Sequence, residues 1–267
     1  MLQSLWSAAS GMNAQQLNLD NISNNLANVN TTAYKRTRLE FQDLLYRTYK
    51  APGTPEADAQ SSPTGIQVGL GVKPSATMRD FSTGSFQFTN KPFDMAINGE
   101  GFFKVMQPDG TIAYTRDGSF RVDFDGRLVT SDGYFMEPQI VIPRDRMTDS
   151  EAITPDGRVY VSLSDLTNAQ LVGQLQTARF VNPAGLAAVG RNLYAATESS
   201  GDAIEGNPDS QGLGKIEHKY LEASNVQVVD EMVNMIITQR AYELNSRAAQ
   251  VSDIMLSQAN NLLSLSI

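Results

Sequence analysis

Leu5, Ala8, Met12, Gln15, Leu19, Ile22, Leu26 and Val29 follow one another at alternating intervals of three and four residues. That is the repeat of a helix whose narrow apolar stripe packs against another helix. At 1.5 Å per residue, 25 such residues extend about 37 Å. The far end of the chain repeats the pattern with Ile237, Ala241, Leu244, Ala248, Val251, Met255, Gln258, Leu262 and Leu265. Ser224 followed by Gln227 reads as a capping box, and Asp230 and Glu231 put negative charge at the positive end of the helix dipole. A long second helix is predicted from near residue 225.

The other faces of these helices carry almost no charge. Residues 1–34 hold one charged residue, Asp20, and residues 248–267 hold one, Asp253. Asn13, Gln16, Asn18, Asn21, Asn24, Asn25 and Asn28 stand in the first helix, and Ser257, Asn260 and Asn261 in the last. Uncharged faces of this kind suit helices enclosed by other helices, where a stranded charge is costly to desolvate. Both ends are therefore read as parts of a subunit interface, formed by Leu5, Met12, Leu19, Ile22, Leu26, Val29, Ile237, Leu244, Val251, Met255, Leu262 and Leu265. Each stripe is interrupted by a single Gln. An antiparallel register in which facing residue numbers sum to about 273 sets Gln15 against Gln258.

Composition removes several function classes. With 267 residues, 41% of them hydrophobic, the chain can bury a core. A net charge of −8 without any basic cluster speaks against a nucleic-acid partner. No cysteine is present, which excludes disulfides, thiol catalysis and Cys-ligated metals. The first Lys is Lys35, and Asn and Gln break up residues 1–34, so no cleaved secretory leader is expected. No stretch reaches the roughly 18 apolar residues of a membrane span, and no membrane insertion is expected.

The texture changes between the ends. From about Gly69 to Val161, short β-branched and aromatic runs alternate with Asp-Gly pairs at 109–110, 117–118, 125–126, 132–133 and 156–157. The runs are 101–106, 112–115, 119–124 and 127–130, and 173–181 continues the pattern. Asp-Gly tolerates positive φ at both residues, which predicts successive antiparallel hairpins. Ala51 to Gly65, with three prolines, reads as an extended connector, and Ser199 to Gly214 as a surface loop. The expected fold is mixed α and β: long terminal helices paired as a coiled-coil-like unit, with a mainly antiparallel β central domain. The expected division is 1–36 with 222–267 as a discontinuous helical assembly domain, 37–70 as connector, and 71–221 as the β-rich part.

Candidate chemistry is thin. His218 is the sole histidine and lacks partners for a metal or a nucleophile. Asp123-Phe124-Asp125-Gly126 resembles part of a calcium loop but lacks the further acids, and hairpin chemistry accounts for it. Asn98-Gly99-Glu100-Gly101 reads as a turn between strands rather than a ligand loop. No catalytic, cofactor-binding or metal residue is predicted, and no enzyme. A β-sandwich hydrolase needs a convergent acid, base or metal. An extracellular β-domain binding module needs ends that fold in dilute solution.

The sequence Ser23-Asn24-Asn25-Leu26-Ala27-Asn28-Val29-Asn30-Thr31-Thr32-Ala33-Tyr34-Lys35-Arg36 resembles the signature of bacterial flagellar rod and hook proteins. Leu221 to Val226, containing Ser224, Asn225 and Val226, together with Gln239-Arg240-Ala241-Tyr242-Glu243, resembles that family's C-terminal signature. Residues 96–103 and 114–120 are similar to its β-domain motifs, so the likeness covers nearly the whole chain. Length, Asp43-Leu44-Leu45-Tyr46 and Gly65 to Gly69 look most like the distal rod members, with proximal rod and hook-type subunits as alternatives. The resemblance implies a cofactor-free subunit of a helical homopolymer, exported by the flagellar export apparatus, with helical ends inside and the β-domain outside. Its implied partners are proximal rod proteins, hook protein and surrounding ring proteins, and its implied place is the basal body, from periplasm to outer membrane. At Ala33 the family usually has Gly, so either the turn after the first helix is strained or the helix exits differently.

Overall fold

The computed structural model describes residues 2–52, 55–56, 60–61, 64–143, 146–163 and 169–265. They fall into two compact units, each discontinuous in sequence. The first comprises Met1–Leu26, Thr37–Met78 and Gln227–Ile267, and the second Ala27–Arg36 and Arg79–Val226.

The first unit holds both long helices, α1 at Leu2–Ala27 and α2 at Val228–Leu265. α2 starts three residues later than the sequence suggests. Ser224 Oγ accepts from Val226 N–H at 3.2 Å, forming a local turn instead of the predicted cap. Two short ladders complete the unit: Thr37–Asp43 beside Val72–Arg79, and Tyr46–Lys50 antiparallel to Ile66–Gly69. Ser10 Oγ on α1 accepts from Val72 N–H at 3.3 Å, joining helix to strand. Seven of the fifteen residues in the proline-containing stretch from Ala51 to Gly65 lie outside the described ones.

The second unit is built on a nine-stranded antiparallel sheet. Its main path runs Arg121–Val122, Leu128–Val129, Phe135–Glu137, Phe102–Met106, Ile112–Thr115, Leu193–Ala195, Ala187–Gly190. Thr177–Arg179 pairs with the start of Phe102–Met106 and with Ile204–Gly206. The stretch read as a surface loop, 199–214, thus contributes a strand, because alternate polar residues disguise an edge position. A three-stranded antiparallel sheet, Arg146–Ile153, Arg158–Leu163 and Ala169–Gln174, closes over the core. Met95, Ile97, Phe103, Val105, Leu128, Met136, Val159, Val161, Leu175 and Ile216 are buried there together. Each such side chain withdrawn from water stabilises the unit by about 1.5–3 kcal/mol.

Asp-Gly marks the hairpins, but by a different geometry from the one predicted. Only the glycine is left-handed at 110, 126, 133 and 157, with φ between 81° and 85°. The aspartate keeps an ordinary φ, and its side chain braces the turn, as where Asp109 Oδ1 accepts from Thr111 N–H at 3.0 Å. At Asp117-Gly118 the glycine serves close approach instead: a Cβ there would stand 1.6 Å from the Met95 carbonyl oxygen.

Candidate assembly interface

Polar or small residues join α1 to α2 at every seventh position. Ser4 bonds Ser252 at 3.1 Å, Asn18 Nδ2 donates to Thr238 Oγ1 at 3.0 Å, and Asn25 Nδ2 donates to Glu231 Oε2 at 3.4 Å. Between the first two, Gly11 lies directly against the Asn245 side chain. The helices therefore run antiparallel. Facing pairs total 256 (Ser4 with Ser252, Asn18 with Thr238), not 273, and the predicted Gln15–Gln258 pairing is not formed. Gln15 instead shares a cavity of about 320 Å³ with Gln16, Leu19, Gln239, Tyr242 and Glu243. Hydrogen-bonding rungs set this register, and the apolar stripes do not.

That choice of register decides where the apolar stripes end up. On α1, Ile22 is buried and Leu5, Met12, Leu19 and Leu26 are half-buried, whereas Val29, expected on the same stripe, lies in the turn past the helix end and is half-buried there. On α2 the rungs Thr238, Asn245 and Ser252 each stand one position after Ile237, Leu244 and Val251. One position is about 100° around a helix. Ile237, Leu244, Val251 and Met255 are consequently 50–64% exposed. Val229, Met232, Val233, Ile236 and Ile254 extend the same uncovered surface. The side chains of Leu262 and Leu265 lie outside the described residues. Sequence reading missed Trp6 on α1, 73% exposed and the only tryptophan of the chain.

The signature residues serve several ends. Asn25 is buried on the Thr37 backbone, and Asn21 Nδ2 reaches the same Thr37 carbonyl at 2.9 Å. Asn18, Asn21 and Asn25 are thus internal fasteners, whereas Asn13, Gln16 and Asn24 remain exposed as an interface requires. Ala27 is exposed, Asn28 half-buried, and Asn28 Oδ1 accepts from Thr31 Oγ1 at 3.1 Å in the turn that follows. Gln239, Arg240, Tyr242 and Glu243 are exposed, Ala241 is half-buried, and Arg240 pairs with Glu243 at 2.9 Å.

In the second unit, Ala33 adopts φ 55°, so the strain inferred from the missing Gly is present. Its N–H donates to the Glu222 carbonyl at 2.8 Å. Asn225 Oδ1 accepts from Arg36 N–H at 2.7 Å, while its Nδ2 donates to the Asp80 carbonyl at 2.9 Å. Val226 is buried. Beside these bonds lies a charge cluster that sequence reading did not find. Lys35 and Glu222 are fully buried and joined at 2.5 Å, Glu222 Oε1 also accepts from Gly84 N–H, and Arg116 stands 3.5 Å from Glu222 Oε2. Burial pushes the Lys35 ammonium below the usual lysine range, with Glu222 opposing the shift. Arg116 is affected in the same direction by burial, and donates to the Ile97 and Gly99 carbonyls. The only recurrent hint was the pairing of Lys35 with Glu222 in two signatures nearly two hundred residues apart.

No helix among the described residues is long and apolar enough to cross a membrane. Among the same residues no group of three or more His, Asp or Glu could hold a metal ion.

Comparison with known proteins agrees along the whole chain. Residues 5–35 match the flagella basal body rod protein family, 96–161 the flagellar hook protein FlgE/F/G D1 domain, and 217–262 the flagellar basal body rod FlgEFG protein C-terminal family. The chain is 50% identical to the flagellar basal-body rod protein FlgG of Borreliella burgdorferi, over 98% of this chain and 99% of that one. It is 38% identical to the protein of the same name in Bacillus subtilis, again over 98% and 99%. The flagellar hook protein FlgE of Helicobacter mustelae is 42% identical over 58% of this chain but only 34% of its own length.

Proposed function

We propose that this chain, which belongs to the family of flagellar basal-body rod and hook proteins, is a structural subunit that polymerises through its helical ends into the distal rod of the basal body. It performs no covalent chemistry. The observation that carries this reading is the α2 stripe Ile237, Leu244, Val251 and Met255. It is left in water because α1 engages the adjacent polar positions. An apolar surface of this extent, on a helix whose stretch from residue 248 carries Asp253 as its one charged residue, needs neighbouring helices to cover it. Supplied by sibling subunits, that cover winds the ends into a coiled-coil-like inner tube, for which the seven-residue rungs are a suitable frame. The discontinuous segments 1–36 and 222–267 are the assembly domain, 37–70 the connector and 71–221 the outer layer. Full-length likeness to rod proteins and partial likeness to a hook protein support the rod over the hook.

In this position the subunit is delivered by the flagellar export apparatus, follows the proximal rod proteins, precedes the hook protein, and turns within surrounding ring proteins between periplasm and outer membrane. Deleting the gene in a motile host tests the assignment. Basal bodies isolated from the deletion strain are expected to carry a proximal rod and no hook. An intact shaft, or a shaft that lacks its proximal part, overturns the distal assignment.

A further inference from the structure

The second unit carries a pocket and a projection that fit each other but cannot meet within one chain. The pocket, about 390 Å³, is walled by Phe81, Phe102 and Phe180, whose rings meet edge to face at 5.4 and 5.8 Å around Phe102. Arg116 and Arg179 also line it. The Nε–H groups of both are buried and lack an acceptor among the described residues. Arg116 is already engaged by Glu222 and by the Ile97 and Gly99 carbonyls, which leaves Arg179 as the other cation of the lining, and a guanidinium beside aromatic rings suits an occupant that brings a carboxylate and an apolar group together. Exposed Glu100 at the rim is the one acidic residue of the lining.

The projection is the turn Asp123-Phe124-Asp125-Gly126. Phe124 is 81% exposed, between two exposed aspartates. The turn is rigid: Asp123 N–H donates to the Arg127 carbonyl at 2.8 Å, Gly126 N–H to the Asp123 carbonyl at 2.9 Å, and Ile142 N–H to the Gly126 carbonyl at 2.7 Å. A rigid loop loses little entropy on docking. Asp125 pairs with Arg127 at 2.7 Å and Asp123 Oδ1 accepts from Phe124 N–H at 2.7 Å, which leaves the second oxygen of the exposed Asp123 carboxylate as the acceptor the turn can offer. The turn joins the edge strand Arg121–Val122 to its neighbour Leu128–Val129, whereas Phe102 begins a central strand of the same sheet.

We propose that the Asp123–Gly126 turn of one copy inserts into the Phe81–Phe102–Phe180 pocket of the next, Phe124 against the rings and the Asp123 carboxylate on Arg179. Because projection and pocket are different patches, the contact is head-to-tail, and a head-to-tail contact repeats into an open helix unless its rotation happens to close. This inference rests on the polymer reading and names a contact through which the outer layer takes part.

The natural absence of cysteine makes the test direct. Full-length chain carrying Asp125→Cys is mixed with full-length chain carrying Thr83→Cys, at the pocket lining, and treated with a short bis-maleimide. Heterodimer yield at least roughly tenfold above that of a control pair using Asp132→Cys, at another hairpin tip, is expected. Adding Arg179→Glu to the pocket partner, or Phe124→Ala to the turn partner, is expected to return the yield to the control level. Phe124 is 81% exposed, so Phe124→Ala gives up little buried surface, and an unchanged thermal unfolding midpoint of the variant checks that the turn is intact. Equal yields for the two tips, no heterodimer, or a yield indifferent to both substitutions overturns the proposal. Such a failure is distinct from failure of the rod assignment, which the deletion strain reads without reference to this pocket.

Discussion

Asn25 grips the backbone of Thr37 from both sides: its Oδ1 accepts from Thr37 N–H at 3.0 Å and its Nδ2 donates to the Thr37 carbonyl at 2.8 Å. The amide replaces the strand partner that Thr37 would otherwise need as the chain returns along α1, and it also reaches Glu231 on α2. Three segments of the first unit thus meet on one side chain.

Asn25→Ala is expected to lower the unfolding free energy by about 1–3 kcal/mol, because it leaves the Thr37 amide enclosed without a partner, while the Thr37 carbonyl keeps its bond from Asn21. Asn25→Asp keeps the acceptor, loses the donor and adds a negative charge beside Glu231, so at neutral pH it should be no better than Ala. Urea denaturation of the three proteins checks the order.

This relationship shows what could be read in advance and what could not. The α1 stripe from Leu5 to Val29 was legible because apolar spacing reports which side chains seek burial. It does not report who buries them, and on α2 the same spacing marks a face that the chain leaves open. The rungs Ser4, Gly11, Asn18 and Asn25 stand seven apart in the sequence, but amides and hydroxyls look the same there whether they face water or one another. Lys35, Arg116 and Glu222 were invisible for a related reason: charge is read as surface until a partner is known to lie close by. Likewise Asp-Gly located the hairpins, while the choice between its turn geometries depended on the strands it joins.

The Lys35–Glu222–Arg116 cluster should respond asymmetrically. Glu222→Gln removes the only carboxylate that touches both cations, and a buried pair broken on one side loses about 3–5 kcal/mol. Lys35→Met leaves Glu222 with Arg116 and Gly84 N–H, so its loss should be smaller. Thermal unfolding of the two variants decides, and an equal or reversed order would show that Arg116 does not support Glu222.

Neighbouring positions on α2 should fail in different ways. Leu244→Arg changes an exposed residue, so the isolated chain should keep its stability within about 0.5 kcal/mol while losing the ability to form filaments. Thr238→Val breaks the bond to Asn18 and should lower stability by about 1 kcal/mol first. The emission of Trp6, the sole indole, should shift to shorter wavelength when wild-type chain assembles and stay unshifted in Leu244→Arg.

Ala33 is held at φ 55° while 1% exposed. Ala33→Gly relieves about 1–2 kcal/mol of backbone strain and gives up about 0.8 kcal/mol of methyl burial, so the net change should stay within about 1 kcal/mol. Ala33→Val adds a β-branch to a left-handed residue in a closed site and should destabilise by more than about 2 kcal/mol. Denaturation midpoints of the pair separate strain from packing, since packing alone predicts that Val is the better tolerated.

His218 gives the chain an acid-sensitive term whose sign can be worked out. Its Nε2 lies 2.7 Å from the Pro92 carbonyl, so that nitrogen carries the proton of the neutral ring. Burial lowers its folded-state pKa below the ordinary 6.5, the Pro92 bond opposing and nearby Lys219 reinforcing the shift. As pH falls through 6.5 the unfolded chain takes up a proton that the native chain still refuses. Stability from this group is therefore complete above about pH 7 and declines below 6.5 until the native ring protonates, by at most about 1.4 kcal/mol per pH unit. Asp117, raised by burial, acts at more acid pH and with opposite sign: the native carboxyl keeps a proton that the unfolded one has lost. His218→Gln retains an N–H for Pro92 and cannot titrate, so the difference in unfolding free energy between wild type and His218→Gln should narrow from pH 7.5 to 5.5. The single imidazole resonance in a proton NMR titration should move with a midpoint below 6.5, and a midpoint above it would reverse the predicted slope.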